Sequence, residues 1–136
     1  MKPEVGILVQ TNEHPNKTDL RLRTKAFASA VIRLYCSLPT KRTEVQVLGK
    51  QLLRSGTSVA ANYREGSRAR SDAEFIAKID QCAQEADESM LWLELLRDDC
   101  ATRSGDLDRL LKEADELISI FVAMSKKVKK RLDDSK

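Results

Sequence analysis

Aromatic side chains make up only 4% of this 136-residue chain, glycine occurs five times and proline three times. So few rings and so little turn punctuation argue against a many-stranded sheet protein. With 33% charged residues, they favour long amphipathic helices instead. The three cysteines, Cys36, Cys82 and Cys100, form an odd set without C-x-x-C spacing, which excludes a disulfide framework and a zinc knuckle. Cys36 and Cys82 fall at apolar helical positions and read as packing residues in a reducing compartment. No apolar run approaches the roughly 18 residues of a membrane span, and no charged-then-apolar leader opens the chain, so the expected location is cytoplasmic.

The chemistry that is missing narrows function further. Histidine occurs once, at His14, ahead of the first helical pattern, so no Ser-His-Asp or Cys-His set is available and no Glu-x-x-His pair exists for a di-metal bundle site. The segment from Gly56 to Gly66 lacks the Gly-Lys-Ser/Thr of a phosphate loop. Asp80, Glu85, Asp87 and Glu88 recur at helical spacing and read as a solvated or ion-paired face. No catalytic, metal or cofactor-binding residue is therefore assigned, and a non-enzymatic protein is expected.

What is present is helical periodicity. Residues 1–17 form an arm whose run Val5-Gly-Ile-Leu-Val9 is either part of a flexible terminus or a strand-like clip on a neighbouring subunit. From Thr18 or Asp19, Leu20, Ala26, Phe27, Ala30, Val31, Leu34, Tyr35 and Leu38 recur at helical spacing until Pro39. Thr43 is expected to cap a second helix along which Val45, Leu48, Leu52, Gly56, Val59 and Tyr63 step by threes and fours. On an ideal helix these fall with Ala60 within about 120°, whereas Lys50, Arg54, Arg64 and Arg68 fall within about 80° on the other side. The helix is apolar on one side and basic on the other. Gly56 within it costs about 1 kcal/mol against alanine, which fits a close helix crossing or a binding notch, and Thr57 and Ser58 are placed to bond back one turn.

Gly66 is expected to stop this helix, Arg68 and Arg70 to lie in the turn, and Ser71-Asp-Ala-Glu74 to act as a capping box. The third helix carries a seam of Phe75, Ile79, Cys82, Ala86, Leu93 and Leu96, widened by Ile76, Ala83 and Met90, and runs to about Ala101. Met90-Leu-Trp-Leu-Glu-Leu-Leu96 is apolar almost all round, so Leu91, Trp92 and Leu95 are candidates for a subunit contact, with coverage by another helix as the alternative. Ser104-Gly105 with Asp106 is expected to form a turn and a cap, followed by a fourth helix defined by Leu107, Leu110, Leu111, Ala114, Leu117, Ile118, Phe121 and Val128. It ends in Lys126-Lys-Val-Lys-Lys-Arg131, a solvated helix end or a contact for an acidic polymer. Four such helices joined by short connections predict an all-α, antiparallel, up-down-up-down bundle over residues 18–132, with 133–136 as a tail.

Net charge is a mild +3, but it is segregated. Seven basic residues face Glu44 and Glu65 between Lys41 and Arg70, and nine acidic residues face Lys78 and Arg97 between Asp72 and Asp99. Lys50, Arg54, Arg64, Arg68 and Arg70 are thus the candidate contact for a nucleic-acid backbone, RNA or DNA. The competing reading neutralises them against the acidic third helix, within a subunit or between subunits. The lack of interleaved aromatics gives no support to base stacking.

The run Gln51-Leu-Leu-Arg-Ser-Gly-Thr-Ser-Val-Ala-Ala-Asn-Tyr-Arg-Glu-Gly66, followed by Ser71, Glu74-Phe75, Ile79, Ala83, Glu85 and Trp92-Leu93, resembles the bacterial family known from intervening sequences in 23S ribosomal RNA genes. The resemblance extends from about Leu20 to Met124. It implies an antiparallel four-helix bundle assembled as a homopentamer. A related branch is similar to the accessory proteins of diversity-generating retroelements, which implies nucleic acid and a reverse transcriptase as possible partners. Asn62, Arg64 and Glu65 match the family's signature, and no catalytic role is carried over to them.

Overall fold

The computed structural model describes residues 17–136, so the Val5–Val9 run and His14 lie outside the described residues. Four helices follow in order: α1 (Lys17–Ser37), α2 (Thr43–Ser67), α3 (Asp72–Asp98) and α4 (Gly105–Asp134). The connections 38–42, 68–71 and 99–104 are too short for anything but antiparallel neighbours. α2 packs on α1 and α3, α3 on α4, and α4 closes the ring on α1 through a thinner contact. The expected all-α four-helix bundle is the fold that forms.

The helix ends follow local chemistry, with some shifts from the sequence expectation. Ser71 caps α3, its hydroxyl accepting from the Glu74 amide at 3.1 Å. Thr43 does not cap α2. It is the first helical residue, and Arg42 holds the cap position without a side-chain cap bond. α4 is capped by Ser104 and not by Asp106, whose own amide donates to the Ser104 hydroxyl. α3 stops at Asp98 instead of reaching Ala101, because Ala101 adopts a left-handed φ of 58° that breaks the helical course. Gly66 is no stop either. α2 continues through Ser67, and Gly66 is a packing position where an added Cβ would sit 3.1 Å from Lys78 Cβ.

Burial follows the seams. Val45, Leu52, Val59 and Tyr63 of α2 are fully buried, as are Ile79, Cys82, Ala86, Leu93 and Leu96 of α3. Each large apolar side chain so buried contributes about 1.5–3 kcal/mol. The Tyr63 and Phe121 rings meet across the interior, centroids 6.3 Å apart. On α1 the inward place expected for Ala26 belongs to Thr24, which is 1% exposed and donates its hydroxyl to the Leu20 carbonyl at 2.8 Å. A polar side chain is tolerated there because its one donor is satisfied within the helix.

The expected close crossing at Gly56 is present. A Cβ there would lie 2.8 Å from Val31 Cγ2, and one at Gly49 would lie 2.9 Å from Leu38 Cδ1. Thr57 bonds back to the Leu53 carbonyl at 2.8 Å, as expected of a hydroxyl beside such a crossing. Between α2 and α3 the same economy of size appears as a buried hydroxyl pair, Ser55 Oγ and Ser89 Oγ at 2.8 Å, with Ser89 also donating to the Glu85 carbonyl. Neither serine was marked by the apolar seam, because a periodicity built on aliphatic residues passes over small polar ones.

The cysteines divide differently from the expectation. Cys82 and Cys100 are buried, whereas Cys36 is exposed on the outer side of α1. Burial pushes the Cys82 thiol up to about 12, and its Sγ donates to the Val59 carbonyl at 3.6 Å.

Two measurements check this packing. Gly56→Ala gains about 1 kcal/mol of helix propensity, but overpacking against β-branched, buried Val31 costs about 1–3 kcal/mol and dominates. Urea denaturation should show a net loss that disappears in a Val31→Ala background; equal losses in both backgrounds would contradict the crossing. A disulfide reagent at neutral pH should titrate Cys36 rapidly and the other two thiols only on unfolding, so fast reaction of two or more would contradict the assigned burial.

Candidate nucleic-acid interface

Because α2 turns Gly49, Leu52, Gly56, Val59 and Tyr63 inward, its opposite side is fixed as Lys50, Arg54, Arg64 and Arg68, all exposed. Their surroundings separate them into two groups. Arg54 is held by α3: its guanidinium lies 2.6 Å from Glu88 and 3.4 Å from Glu85. The Glu85 side chain is only 9% exposed and also accepts from Gln81 at 3.1 Å. Arg54 therefore satisfies a carboxylate that the α2–α3 contact has taken out of water. Lys50 lies one turn before it, with no carboxylate at ion-pair distance among the described residues.

Ten residues on, about 15 Å along the helix axis, the setting changes. Arg64, Arg68 and Arg70 line one groove at the α2–α3 turn, together with Glu65, Glu74 and Lys78. Glu65 is engaged by Lys78 at 2.5 Å, and this bond raises the Lys78 pKa above the ordinary lysine value. Arg64, Arg68 and Arg70 have no ion pair among the described residues. The turn that carries Arg68 and Arg70 is held by backbone bonds from the Arg68 amide to the Glu65 carbonyl and from the Ala69 amide to the Gly66 carbonyl. Of the five candidate cations, the fold thus gathers three, ties one to α3 and leaves Lys50 apart.

A second groove adjoins the first. Arg70, Ser71 and Asp72 form one wall, Arg131 and Val128 of α4 another, and Gly66, Ala69 and Phe75 the remainder. Arg131 pairs with Asp72 at 3.0 Å and Lys129 with Asp80 at 3.2 Å, so the last turns of α4 are clamped to the start of α3. The expected carboxylate face is in this sense ion-paired at Asp80, Glu85 and Glu88, with Asp87 exposed.

The candidate subunit-contact residues also divide. Leu91 is 45% exposed, Leu95 is half-buried, and Trp92 is half-buried against the bundle core with its Nε1 buried and without a hydrogen-bond partner among the described residues. Leu22 at 61% and Ile32 at 44% are outward apolar side chains on α1 that the sequence seam does not mark. The signal was available: both fall outside the seam that Leu20, Phe27, Val31 and Leu34 define. Among the described residues no group of three His, Cys, Asp or Glu side chains is placed to hold a metal ion, and no helix is long and apolar enough to cross a membrane.

The model of the family described as 23S rRNA-intervening sequence protein matches residues 17–123. A solved structure from Bacteroides thetaiotaomicron, described as a protein of unknown function from the S23 ribosomal protein family, is 31% identical. The match covers 81% of this chain and 97% of that one with a TM-score of 0.73. No curated protein matches the chain. Neither the family description nor the description of the solved structure names an enzymatic activity. The matched span contains all four helices up to the basic end of α4, and the chain belongs to the 23S rRNA-intervening sequence protein family.

Proposed function

We propose that the protein is a non-enzymatic nucleic-acid-binding bundle whose contact is the arginine groove at the α2–α3 turn. The observation that carries this reading is the convergence of Arg64, Arg68 and Arg70 on one groove without ion pairs among the described residues, while Arg54 is engaged by Glu85 and Glu88. Guanidinium groups held on a helix end and a short turn suit phosphate oxygens, which position a nucleic acid without reading its bases. Exposed aromatic platforms are few: Tyr63 is fully buried, Trp92 packs against the core, and Phe75 is half-buried in the adjoining groove. The family's description refers to an intervening sequence of ribosomal RNA, and structured RNA is accordingly the first ligand to test. Lys50 stands at the margin of this contact, and Arg54 serves the scaffold.

A second reading, compatible with the first, is self-assembly. Leu22, Ile32 and Leu91 are large apolar side chains that the single subunit leaves 44–61% exposed, and a homo-oligomer would cover them. A pentamer is the form that the family resemblance favours, and a protein partner such as a reverse transcriptase is the alternative occupant.

Two experiments test these readings. Titrating labelled RNA hairpin at rising salt should give an affinity that falls steeply, and Arg64→Glu plus Arg68→Glu should reduce the log–log salt slope by about 2. Arg54→Ala should instead lower the unfolding free energy by roughly 1–2 kcal/mol, with little change in slope. Binding that is absent at low salt, or untouched by the double reversal, would overturn the nucleic-acid reading. Native mass measurement should show a multimer that Leu91→Asp weakens; a wild-type monomer at micromolar concentration would overturn self-assembly.

A further inference from the structure

We infer that the groove beside the arginines, lined by Phe75, receives one unpaired nucleobase, so that the ligand class of this surface is RNA carrying a bulged or terminal unpaired nucleotide rather than uninterrupted duplex. The inference rests on the nucleic-acid reading above and deepens it. Arg70 lines both grooves, which makes them adjoining halves of one surface. One half is cationic, with Arg64, Arg68 and Arg70 on it. The other sets an aromatic side chain among Gly66, Ala69 and Val128, in a groove of about 510 Å³. That volume lies within the roughly 300–1,000 Å³ of clefts that hold small molecules.

The position of Phe75 follows from the local fold. It opens the apolar seam of α3, one turn after the Ser71 cap, and packs against the core. Ile79 and Cys82, deeper in the same seam, are fully buried, whereas Phe75 stays half-buried. The residues beside it on the α2 side are too small to cover it, since Gly66 has no side chain and Ala69 only a methyl group. An aromatic side chain left in a groove next to guanidinium groups offers a nucleotide both surfaces it needs, a π-face for the base and cations for the phosphate. The polar groups of the groove are arranged to permit this. The Ser71 hydroxyl is occupied by the Glu74 amide, and Asp72 is occupied by Arg131. Arg131 carries five N–H donors, and its bond to Asp72 uses one, so the α4 wall keeps donors for a base edge or a phosphate. A paired base is closed within its own stack and cannot enter such a groove, while a bulged or terminal base can be splayed onto an aromatic side chain.

The test uses the full chain with a blunt RNA duplex and the same duplex carrying one bulged nucleotide. Wild type should bind the bulged RNA about tenfold more tightly, in line with one base stacked on an aromatic side chain. Phe75→Leu should bring the two affinities together without changing the log–log salt slope, and Phe75→Tyr should keep the preference. Arg64→Glu plus Arg68→Glu should weaken both RNAs while leaving their ratio in place. Because Phe75 also packs on the core, a measurement on the wild type accompanies the variants: a bulged 5-iodouridine should photo-crosslink to the peptide carrying Phe75. Equal affinity for the two RNAs, a preference that survives in folded Phe75→Leu, or crosslinks that avoid that peptide would each overturn the base site and leave the arginine groove standing. Absence of binding to either RNA at low salt would overturn both.

Discussion

The close approach of α2 to its two neighbours is the constraint on which the rest of the structure depends. On the α1 side Gly49 and Gly56 admit Leu38 and Val31 into space a Cβ would occupy. On the α3 side Gly66 admits the Lys78 stem, and Ser55 meets Ser89 through a buried hydroxyl pair. These contacts fix the rotation of α2 about its own axis, since turning it by one residue would drive side chains into both neighbours. With the rotation fixed, the outward row is fixed as well. The stacking of Lys50, Arg54, Arg64 and Arg68 on one exposed side thus follows from where the small residues are.

Electrostatics then divides that row. Near the middle of α2 the acidic third helix reaches Arg54 through Glu85 and Glu88, and the nearly buried Glu85 makes this pairing a requirement of the α2–α3 contact. At the end of the bundle α3 has few acids left. Asp72 and Asp80 are turned toward α4, and Glu65 is occupied by Lys78. The segregation of charge along the chain therefore does not cancel evenly in space, and an uncompensated cationic region survives at one end. Under the proposed function, this is where Arg64, Arg68 and Arg70 would meet phosphate, with Glu74 at the rim.

Much of the fold was legible because its signals are periodic. The seams of α2, α3 and α4, the Ser71 cap and the Gly56 crossing all follow from spacing and residue size. What escaped was decided by tertiary contact. Thr24, Ser55 and Ser89 are polar residues whose burial depends on a hydrogen-bond partner, and Gly66 reads as a helix stop until Lys78 is seen beside it. Cys36 and Trp92 show the same limit in opposite directions: an apolar residue on an amphipathic helix faces outward or inward according to how its neighbours cross. At the candidate site, residue identities were readable from helix two and its turn. The division between Arg54 and the other arginines was not, because it depends on which acids of α3 lie opposite.

The central claim is that α2 is structural on one side and, only at its far end, a polyanion contact on the other. Photo-crosslinking the protein to bound RNA and mapping the modified peptides addresses it most directly. The account predicts crosslinks in the peptides carrying Arg64–Ser71, with none in the peptide carrying Lys50 and Arg54. Crosslinks concentrated at Lys50 and Arg54, or spread evenly over the bundle, would contradict it.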